Sequence, residues 1–528
     1  MDEYQQTGLS VQSRLIQNWL ATLRKAEPAS SIIETHISWV LLSGQYAYKV
    51  KKALHLDFLD YSDPGMRRFY CREEIRLNRR TASDIYLDVV QIGGNPDEPA
   101  LNVTPVLEYA VKMRQFDIDN QLDHLLEKDR LTQQHIDSLS AAIADFHLHL
   151  RDYPEQEEPS RFGSPEFLLA RMVENLRELK SLLSRGDDLG LWEDMKRSQL
   201  AEYTVQRNRI EKREADGFVC ECHGDLHMGN LVVVNGRVMP FDGIEFDPQY
   251  RWMDIMSDVA FAFMDLLFFG KKTFAWRLLN HYLQQTGDYD GVVLLRFYAS
   301  CHATVRAKVH LIRELQEAEG DWNRIPADAD YRRYMILAND LLKKRQPALV
   351  ITMGLPGSGK TVFANLGAEK LPAICLHSDV ERKRLFSETD ERYSEQSKFE
   401  VYDYLLQTAD TLLQAGMTVI VDASFLKTGY RSLFRKLAES RSVPFAIAVI
   451  AADMESMEKR LEERKQRDDE ASDADVDVLR KLEKEWQPLT EGEKPFAVEF
   501  INDGDTGFDM TASEWHTLFD KLRIQTED

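Results

Sequence analysis

The segment Gly354-Leu355-Pro356-Gly357-Ser358-Gly359-Lys360-Thr361 satisfies G-x-x-x-x-G-K-T, and its surroundings are those that the chemistry of the pattern requires. Ala348 to Met353, just before it, is an apolar run that reads as a strand, and a helix is expected from near Thr361. Glycines let backbone N–H groups close on phosphate oxygens. Lys360 would neutralise β and γ phosphates, the Thr361 hydroxyl would hold Mg²⁺, and the start of a helix favours an anion. A plain glycine turn is the alternative; the full eight-residue match between its flanking elements argues against it.

Outward from this loop the chain divides. Lys343-Lys344-Arg345-Gln346-Pro347 is a basic, proline-ended connector, and from Ala348 to about Ile501 strands and helices alternate in the manner of a parallel sheet. Before the connector, Ile37 to Val50 reads as two β-rich runs around Ser43-Gly44, followed by a charged amphipathic helix over Met66 to Thr81 and further strands to Val90 and over Ala110 to Met113. Helical periodicity then dominates Asn120 to Leu150, Pro165 to Leu183, Trp252 to His310 and Tyr331 to Leu342, interrupted by short strands over Phe218 to His223 and Leu231 to Phe241. The expected fold class is multi-domain, α+β and α/β: a small mixed lobe over 1–115, a mostly helical lobe over 116–345, and an α/β domain with a parallel sheet over 346–528.

Composition is consistent with several folded units. A length of 528 residues exceeds what one core of about 150 residues accounts for. An apolar fraction of 43% with 29% charged residues is a globular balance. The net charge of −22 argues against broad coating of nucleic acid. Five scattered cysteines imply reduced thiols and a cytoplasmic setting. The N-terminus lacks the pattern of a signal peptide, and the most apolar stretch, Val259 to Gly270, is too short to span a bilayer and reads as a buried helix.

Residues at neighbouring strand ends decide what the phosphate loop does. Ala373 to Leu376 runs into Ser378-Asp379, where a carboxylate takes a proton from an acceptor hydroxyl or orders Mg²⁺; a helix N-cap is the alternative. Arg382 and Arg384 follow, within reach of an anionic acceptor. Met417 to Val421 ends in Asp422, read as the carboxylate that supports Mg²⁺ from the end of the third strand. Arg460, Arg464 and Arg467 recur at helical spacing, as in a lid that brings guanidinium groups onto a transferring phosphate, or else as a solvated face paired with nearby glutamates. GLPGSGKT, SDVERKRL, VIVDASF and RLEER resemble the small P-loop kinases that include zeta toxins, polynucleotide 5′-hydroxyl kinases and chloramphenicol phosphotransferase. That resemblance implies that Asp379 is the acceptor-side base or orienter and that Arg460 and Arg464 close on ATP.

A second constellation lies upstream. Cys222-His223-Gly224-Asp225-Leu226-His227-Met228-Gly229-Asn230 holds an Asp and an Asn five residues apart, and Asp242-Gly243 follows. In phosphoryl transfer an aspartate takes the acceptor proton, an asparagine five positions on ligates Mg²⁺, and a carboxylate after the next strand pair binds the bridging metal. Asp225, Asn230 and Asp242 have those types in that order. A cation for the α and β phosphates would come from Lys49, with Lys51 and Lys52 competing, and its acidic partner from Glu73 or Glu74. AYKVKK, CREEIRLNRR, EYAVKMRQF, CHGDLHMGN and FDGIEFD resemble aminoglycoside phosphotransferase-like kinases over about residues 30 to 340. The resemblance implies a bilobal protein-kinase-like fold, with Tyr109 to Phe116 linking the lobes and offering main-chain groups to adenine. The usual multi-glycine phosphate cover is here reduced to Leu42-Ser43-Gly44-Gln45.

Asp254 and Asp258, four apart, either brace this loop or cap and solvate the next helix. Cys220-x-Cys222-His223 lacks the second ligand pair of a zinc site, and of His147 and His149 one is expected in packing. The expectation is an ATP- and Mg²⁺-dependent phosphotransferase with two candidate sites, each acting on a hydroxyl acceptor, most simply a small molecule or sugar, with no membrane partner. The alternatives are a nucleotide-gated interaction protein with little turnover, and a 5′-hydroxyl nucleic-acid kinase in the last third.

Overall fold

The computed structural model describes residues 3–56, 59–152, 162–386, 394–465, 475–503, 508 and 513–524. The chain forms two compact units, residues 1–269 with 297–339, and residues 270–296 with 340–528. The sequence reading places a domain boundary near Gln346, after lobes over 1–115 and 116–345. Residues 270–296 group with the last third.

In the first unit, α1 (Glu3–Ala26) precedes β1 (Ser31–Glu34), β2 (Ser38–Ser43), β3 (Tyr46–Lys51) and the two-residue strands β4 (His55–Leu56) and β5 (Leu59–Asp60). Then come α2 (Pro64–Ala82), β6 (Tyr86–Asn95), β7 (Glu98–Leu101) and β8 (Val106–Arg114). Six strands pair antiparallel in the order β1-β2-β3-β8-β6-β7. Side chains alternate across a strand, so Tyr48 and Val50 of β3 pack with Ile16 and Trp19 of α1, and Ala47 packs with Cys71 and Ile75 of α2. Lys49 and Lys51 share the α2 face. Asp63 starts α2 by accepting from the Gly65 and Met66 amides, with Pro64 in the first turn.

The helical lobe continues through α3 (Leu122–Glu127), α4 (Gln133–Leu148), α5 (Pro165–Leu182), α6 (Gly186–Ala215), β9 (Val219–Glu221), β10 (Leu231–Val234), β11 (Arg237–Pro240), β12 (Trp252–Asp254) and α7 (Ile255–Phe268). The apolar stretch that begins at Val259 lies in α7, where only Leu267 is not buried. Among the described residues no helix is long and apolar enough to cross a membrane. After α8 (Lys272–Thr286), the chain runs through α9 (Val292–Glu317) and α10 (Asp330–Leu341).

The second unit is a layered α/β structure. Its elements are β13 (Leu349–Met353), α11 (Lys360–Lys370), β14 (Ala373–His377), α12 (Ser378–Leu385), α13 (Glu395–Gln414), β15 (Thr418–Asp422), α14 (Thr428–Arg441), β16 (Phe445–Ala451), α15 (Met454–Lys465), α16 (Val476–Glu485), β17 (Ala497–Ile501) and α17 (Ser513–Leu522). Five parallel strands lie in the order β14-β15-β13-β16-β17. β13, β14 and β15 are buried at every residue, as strands covered on both faces must be.

β14 is an edge strand, and α8 closes that edge. The Asn280 carboxamide donates to Ala373 O (2.9 Å) and accepts from Cys375 N (2.7 Å), standing in for a neighbouring strand. Arg277 pairs with Glu369 of α11 (2.8 Å), and the Tyr289 hydroxyl donates to Glu381 of α12 (2.9 Å). These bonds place residues 270–296 in this unit.

Candidate functional sites

In the first unit the loop Cys222–Asn230 joins β9 to β10, and a buried helix fixes it from below. Asp258 of α7 accepts from the His223 and Gly224 amides (3.1 and 3.0 Å) and contacts His147 Nε2 (3.2 Å). One turn pair further, Asp265 accepts from the Met228 amide (2.8 Å) and from the Tyr334 hydroxyl (2.9 Å). Asp258 is therefore a brace of the loop, one of the two roles open from sequence. Asp254 caps α7 through the Met256 amide and pairs with Arg213 (2.7 Å). Asp265 carried no signal in the sequence beyond being an acid inside an apolar helix, where an unpaired carboxylate is costly.

The loop brings its predicted residues together. Asn230 Nδ2 donates to both the Asp225 carbonyl and its carboxylate (3.0 Å each), and His227 Nε2 lies 3.4 Å from the same carboxylate. Burial alone would raise the Asp225 pKa, but His227 and, further off, Arg306 outweigh it and hold the carboxyl down at about 2. Asp225 is thus ionised throughout the neutral range, suited to orienting a hydroxyl more than to storing its proton. Asp242 adopts a left-handed φ of 60°, which aspartate tolerates better than most residues, and its neighbour Gly243 donates its amide to the Asn78 side-chain Oδ1 (2.8 Å).

Lys49 Nζ lies 2.9 Å from Glu74 and also contacts Asp242, while Lys51 Nζ lies 2.7 Å from the other Glu74 oxygen and contacts Glu245. Glu74 therefore sits between two lysines of one strand face. Burial would lower the Lys49 pKa; Asp242 and Glu74 raise it well above the ordinary value. Glu73 is engaged elsewhere, with Arg76 at 2.8 Å, and Lys52 pairs with Glu34 at 2.7 Å. Tyr109 to Arg114 is not a free linker, because it forms the inner strand β8, paired with β3 and β6. Pairing continues past the strand through the Gln115 amide, which donates to Gln45 O (2.9 Å), beside the Phe116–Phe241 ring contact. His147, Cys222 and Asp258 lie close enough to share an ion, but both Asp258 oxygens are already occupied by loop amides. His147 is buried, and His149 is not.

In the second unit the phosphate loop spans the gap between β13 and α11. Gly357 and Gly359 have φ of +81° and +97°, and a Cβ at either would lie 2.7 Å from Met457 O or 2.2 Å from the Asn502 amide nitrogen; only glycine fits. Lys360 Nζ donates to Leu355 O within the loop (2.8 Å), and burial pulls its pKa below the ordinary lysine value. Thr361 donates its hydroxyl to Asp422 Oδ2 (2.8 Å). Burial alone would raise the Asp422 pKa; His377, Lys360 and Thr361 bring it down.

Because β14, β15 and β13 are neighbours, their carboxyl ends bring Asp379, Asp422 and the loop Gly354-Leu355-Pro356-Gly357-Ser358-Gly359 to one edge. Asp379 lies in the first turn of α12, whose cap position is His377, and it pairs with Arg382. The N-cap reading of Asp379 does not hold. Arg384 turns away, to Glu381 and to the Gln284 carbonyl (2.7 Å), so it is a docking residue and not an acceptor contact. Arg460 of α15 donates to Gly357 O (3.1 Å) and Asn502 O (2.8 Å). Arg464, one turn on, is among the charges acting on Lys360. Arg467 lies outside the described residues. Asn502, which sequence reading missed, donates to Ser358 O (2.8 Å) from the end of β17.

The phosphotransferase enzyme family matches residues 120–292, and an AAA domain family matches residues 349–489. The chain joins an aminoglycoside phosphotransferase-like kinase domain to a P-loop kinase-like domain. Uncharacterised proteins of Mycobacterium tuberculosis and Mycobacterium bovis are each 29% identical over 426 residues, covering 78% of this chain and 82% of theirs. Among solved structures, a choline/ethanolamine kinase family protein from Mesorhizobium loti covers 62% of this chain and 99% of its own at 11% identity, with a TM-score of 0.37. An APS kinase of Mycobacterium tuberculosis, in complex with AMPPNP and APS, covers 33% of this chain and 99% of its own at 21% identity, with a TM-score of 0.25.

Proposed function

We propose that each unit binds ATP with Mg²⁺ and transfers the γ-phosphoryl group to a hydroxyl of an acceptor, most simply a small molecule or sugar. The observation that carries this reading is the occurrence in each unit of a cation for phosphates together with a separate, partnered aspartate, Asp225 beside Asn230 and Asp379 beside Arg382. In the first, Lys49 held by Glu74 supplies the cation and Asp225 orients the hydroxyl. In the second, Lys360 supplies it beside the N–H groups of the loop, and Asp379 faces the acceptor with Arg382 at its side. Asn230 and Asp242, and separately Thr361 and Asp422, are oxygen donors of the kind Mg²⁺ takes. When bound, the ion neutralises phosphate charge. Arg460 ties the lid helix to the loop, and Arg464 approaches the transferred group from that helix.

The test is transfer of label from γ-labelled ATP into a cell extract separated into small molecules, proteins and nucleic acids, using wild type, Asp225→Ala and Lys360→Ala. Label in the small-molecule fraction that disappears with one variant assigns that unit its acceptor class. Label in nucleic-acid ends, lost with Lys360→Ala, would favour the 5′-hydroxyl kinase alternative. ATP binding without label in any fraction would overturn the reading in favour of a nucleotide-gated interaction protein, an alternative motivated by the single glycine of the β2–β3 turn, Gly44.

A further inference from the structure

The phosphate-loop site does not end with the residues that surround it in sequence. Three hydrogen bonds run in series from the loop to α8. Thr361 Oγ1 donates to Asp422 Oδ2 at 2.8 Å, His377 Nδ1 meets the same oxygen at 2.9 Å, and His377 Nε2 meets the Gln284 carboxamide at 2.8 Å. His377 is 3% exposed and Asp422 6%, so bulk water does not offer the ring an easy substitute. Gln284 also reaches Asn365 of α11 (3.5 Å), and the helix that carries it is pinned to β14 through Asn280.

The chemistry of the imidazole gives this chain a direction. Asp422 is an acceptor, so Nδ1 must carry a hydrogen to bond it. A carboxamide can satisfy Nε2 with either of its ends, as donor to a neutral ring or as acceptor from a charged one. In both cases the Gln284 contact fixes the ring rotation and leaves Nδ1–H aimed at Asp422. Two bonds on one carboxylate oxygen restrict the rotation of that carboxylate. Thr361 spends its hydroxyl hydrogen on Asp422, which leaves its oxygen lone pairs for a cation.

We propose that Gln284 is a positioning residue of the phosphate-loop site, fixing His377 and through it the Asp422 carboxylate that supports a divalent cation beside Thr361. The proposal rests on the reading of Thr361 and Asp422 as the cation-holding pair. It assigns to the second site a residue from outside the segment matched by the AAA domain family, 349–489, and inside the segment matched by the phosphotransferase family, 120–292. Partners that orient a metal's ligands are typically worth about 10–100-fold in metal affinity.

The experiment uses the full chain carrying Asp242→Ala, so that the first unit does not contribute metal-dependent nucleotide binding, with Gln284→Leu or Gln284→Glu added. Binding of a fluorescent ADP is titrated with Mg²⁺ and, separately, in excess chelator. In Gln284→Leu the Mg²⁺ concentration that half-saturates the enhancement rises about tenfold or more, while affinity in chelator and the melting temperature stay near those of the parent. Gln284→Glu recovers most of the effect, because its carboxylate accepts from Nε2–H and Nδ1–H stays on Asp422. An unchanged Mg²⁺ requirement in Gln284→Leu, an equal loss of affinity in chelator, or a Glu variant as impaired as the Leu variant overturns the proposal, since packing alone would then account for the contact.

A second readout does not depend on nucleotide. In ¹⁵N-histidine-labelled protein the His377 signal, identified by its loss in His377→Gln, shows hydrogen on Nδ1 in the parent and a mixed or inverted tautomer in Gln284→Leu. Hydrogen on Nε2 alone in the parent overturns the proposal. If the parent binds no nucleotide, the functional reading of the site fails and this spectrum alone decides the role of Gln284.

Discussion

Lys49 and Lys51 show how two identical side chains on one strand face take different work from their neighbours. Lys49 joins Glu74 to Asp242, a residue at the mouth of the first site, whereas Lys51 is 1% exposed and joins Glu74 to Glu245, which also accepts from the Tyr61 hydroxyl (2.6 Å). Removing one partner of a buried ion pair strands the other charge and costs about 3–5 kcal/mol. Lys51→Met is therefore expected to lower unfolding stability by an amount of that order, measured by urea denaturation. Lys49→Met is expected to abolish ATP binding at the first site, measured by calorimetry in a Lys360→Ala background, with a smaller change in stability. Equal effects of the two substitutions in both assays would contradict this division. Strand alternation placed both lysines on one face; which of them meets Asp242 depends on the approach of residues 242–245 from nearly two hundred positions away.

Elements are held by a few buried charges whose protonation is linked to stability. Arg431 of α14 donates to Glu493 (2.8 and 3.0 Å) and to the Phe425 and Leu426 carbonyls (3.0 and 3.2 Å), so one guanidinium joins the helix to two loops. Burial alone would raise the Glu493 pKa, but Arg431 and the Thr490 amide and hydroxyl bring it from 4.5 to about 2. A carboxylate with a depressed folded pKa contributes stability that is present above its unfolded pKa and lost as pH falls through the folded one. The Glu493 contribution should fade between about pH 4.5 and about pH 2. Glu493→Gln is expected to be less stable at pH 7 and to lose less stability across that window, read from denaturant midpoints at a series of pH values; a parallel profile would refute it. The same scale explains what the sequence showed and hid. G-x-x-x-x-G-K-T and the Asp225–Asn230 spacing are local, because a loop that grips phosphate or metal takes its donors from consecutive residues. Asp265, Asn502 and Gln284 act from other elements, and the assignment of Tyr109–Arg114 to an inner strand required knowing its two partners.

For the whole molecule, the limits of the family matches and the limits of the folded units differ. The phosphotransferase match extends to residue 292, yet residues 270–296 belong to the second unit. A fragment of residues 346–528 would lose the two Asn280 bonds to Ala373 O and Cys375 N and leave the edge of β14 and the apolar surface under α8 open to water. Such a fragment is expected to melt below the corresponding transition of the full chain and to bind a peptide of residues 270–296, measured by calorimetry. A fragment as stable as the unit in the full chain, and indifferent to the peptide, would show that α8 is dispensable there.

The position of α8 also has a consequence for synthesis. Trp276, Leu279 and Leu283 are buried, and α8 docks on α11 and β14, elements that leave the ribosome much later. At about 5–20 residues per second, the interval between α8 and the end of β14 is roughly 5–20 s. During it the part of the apolar face that docks on α11 and β14 has not yet met that surface, and the pace of translation between residues 287 and 377 sets how long that exposure lasts.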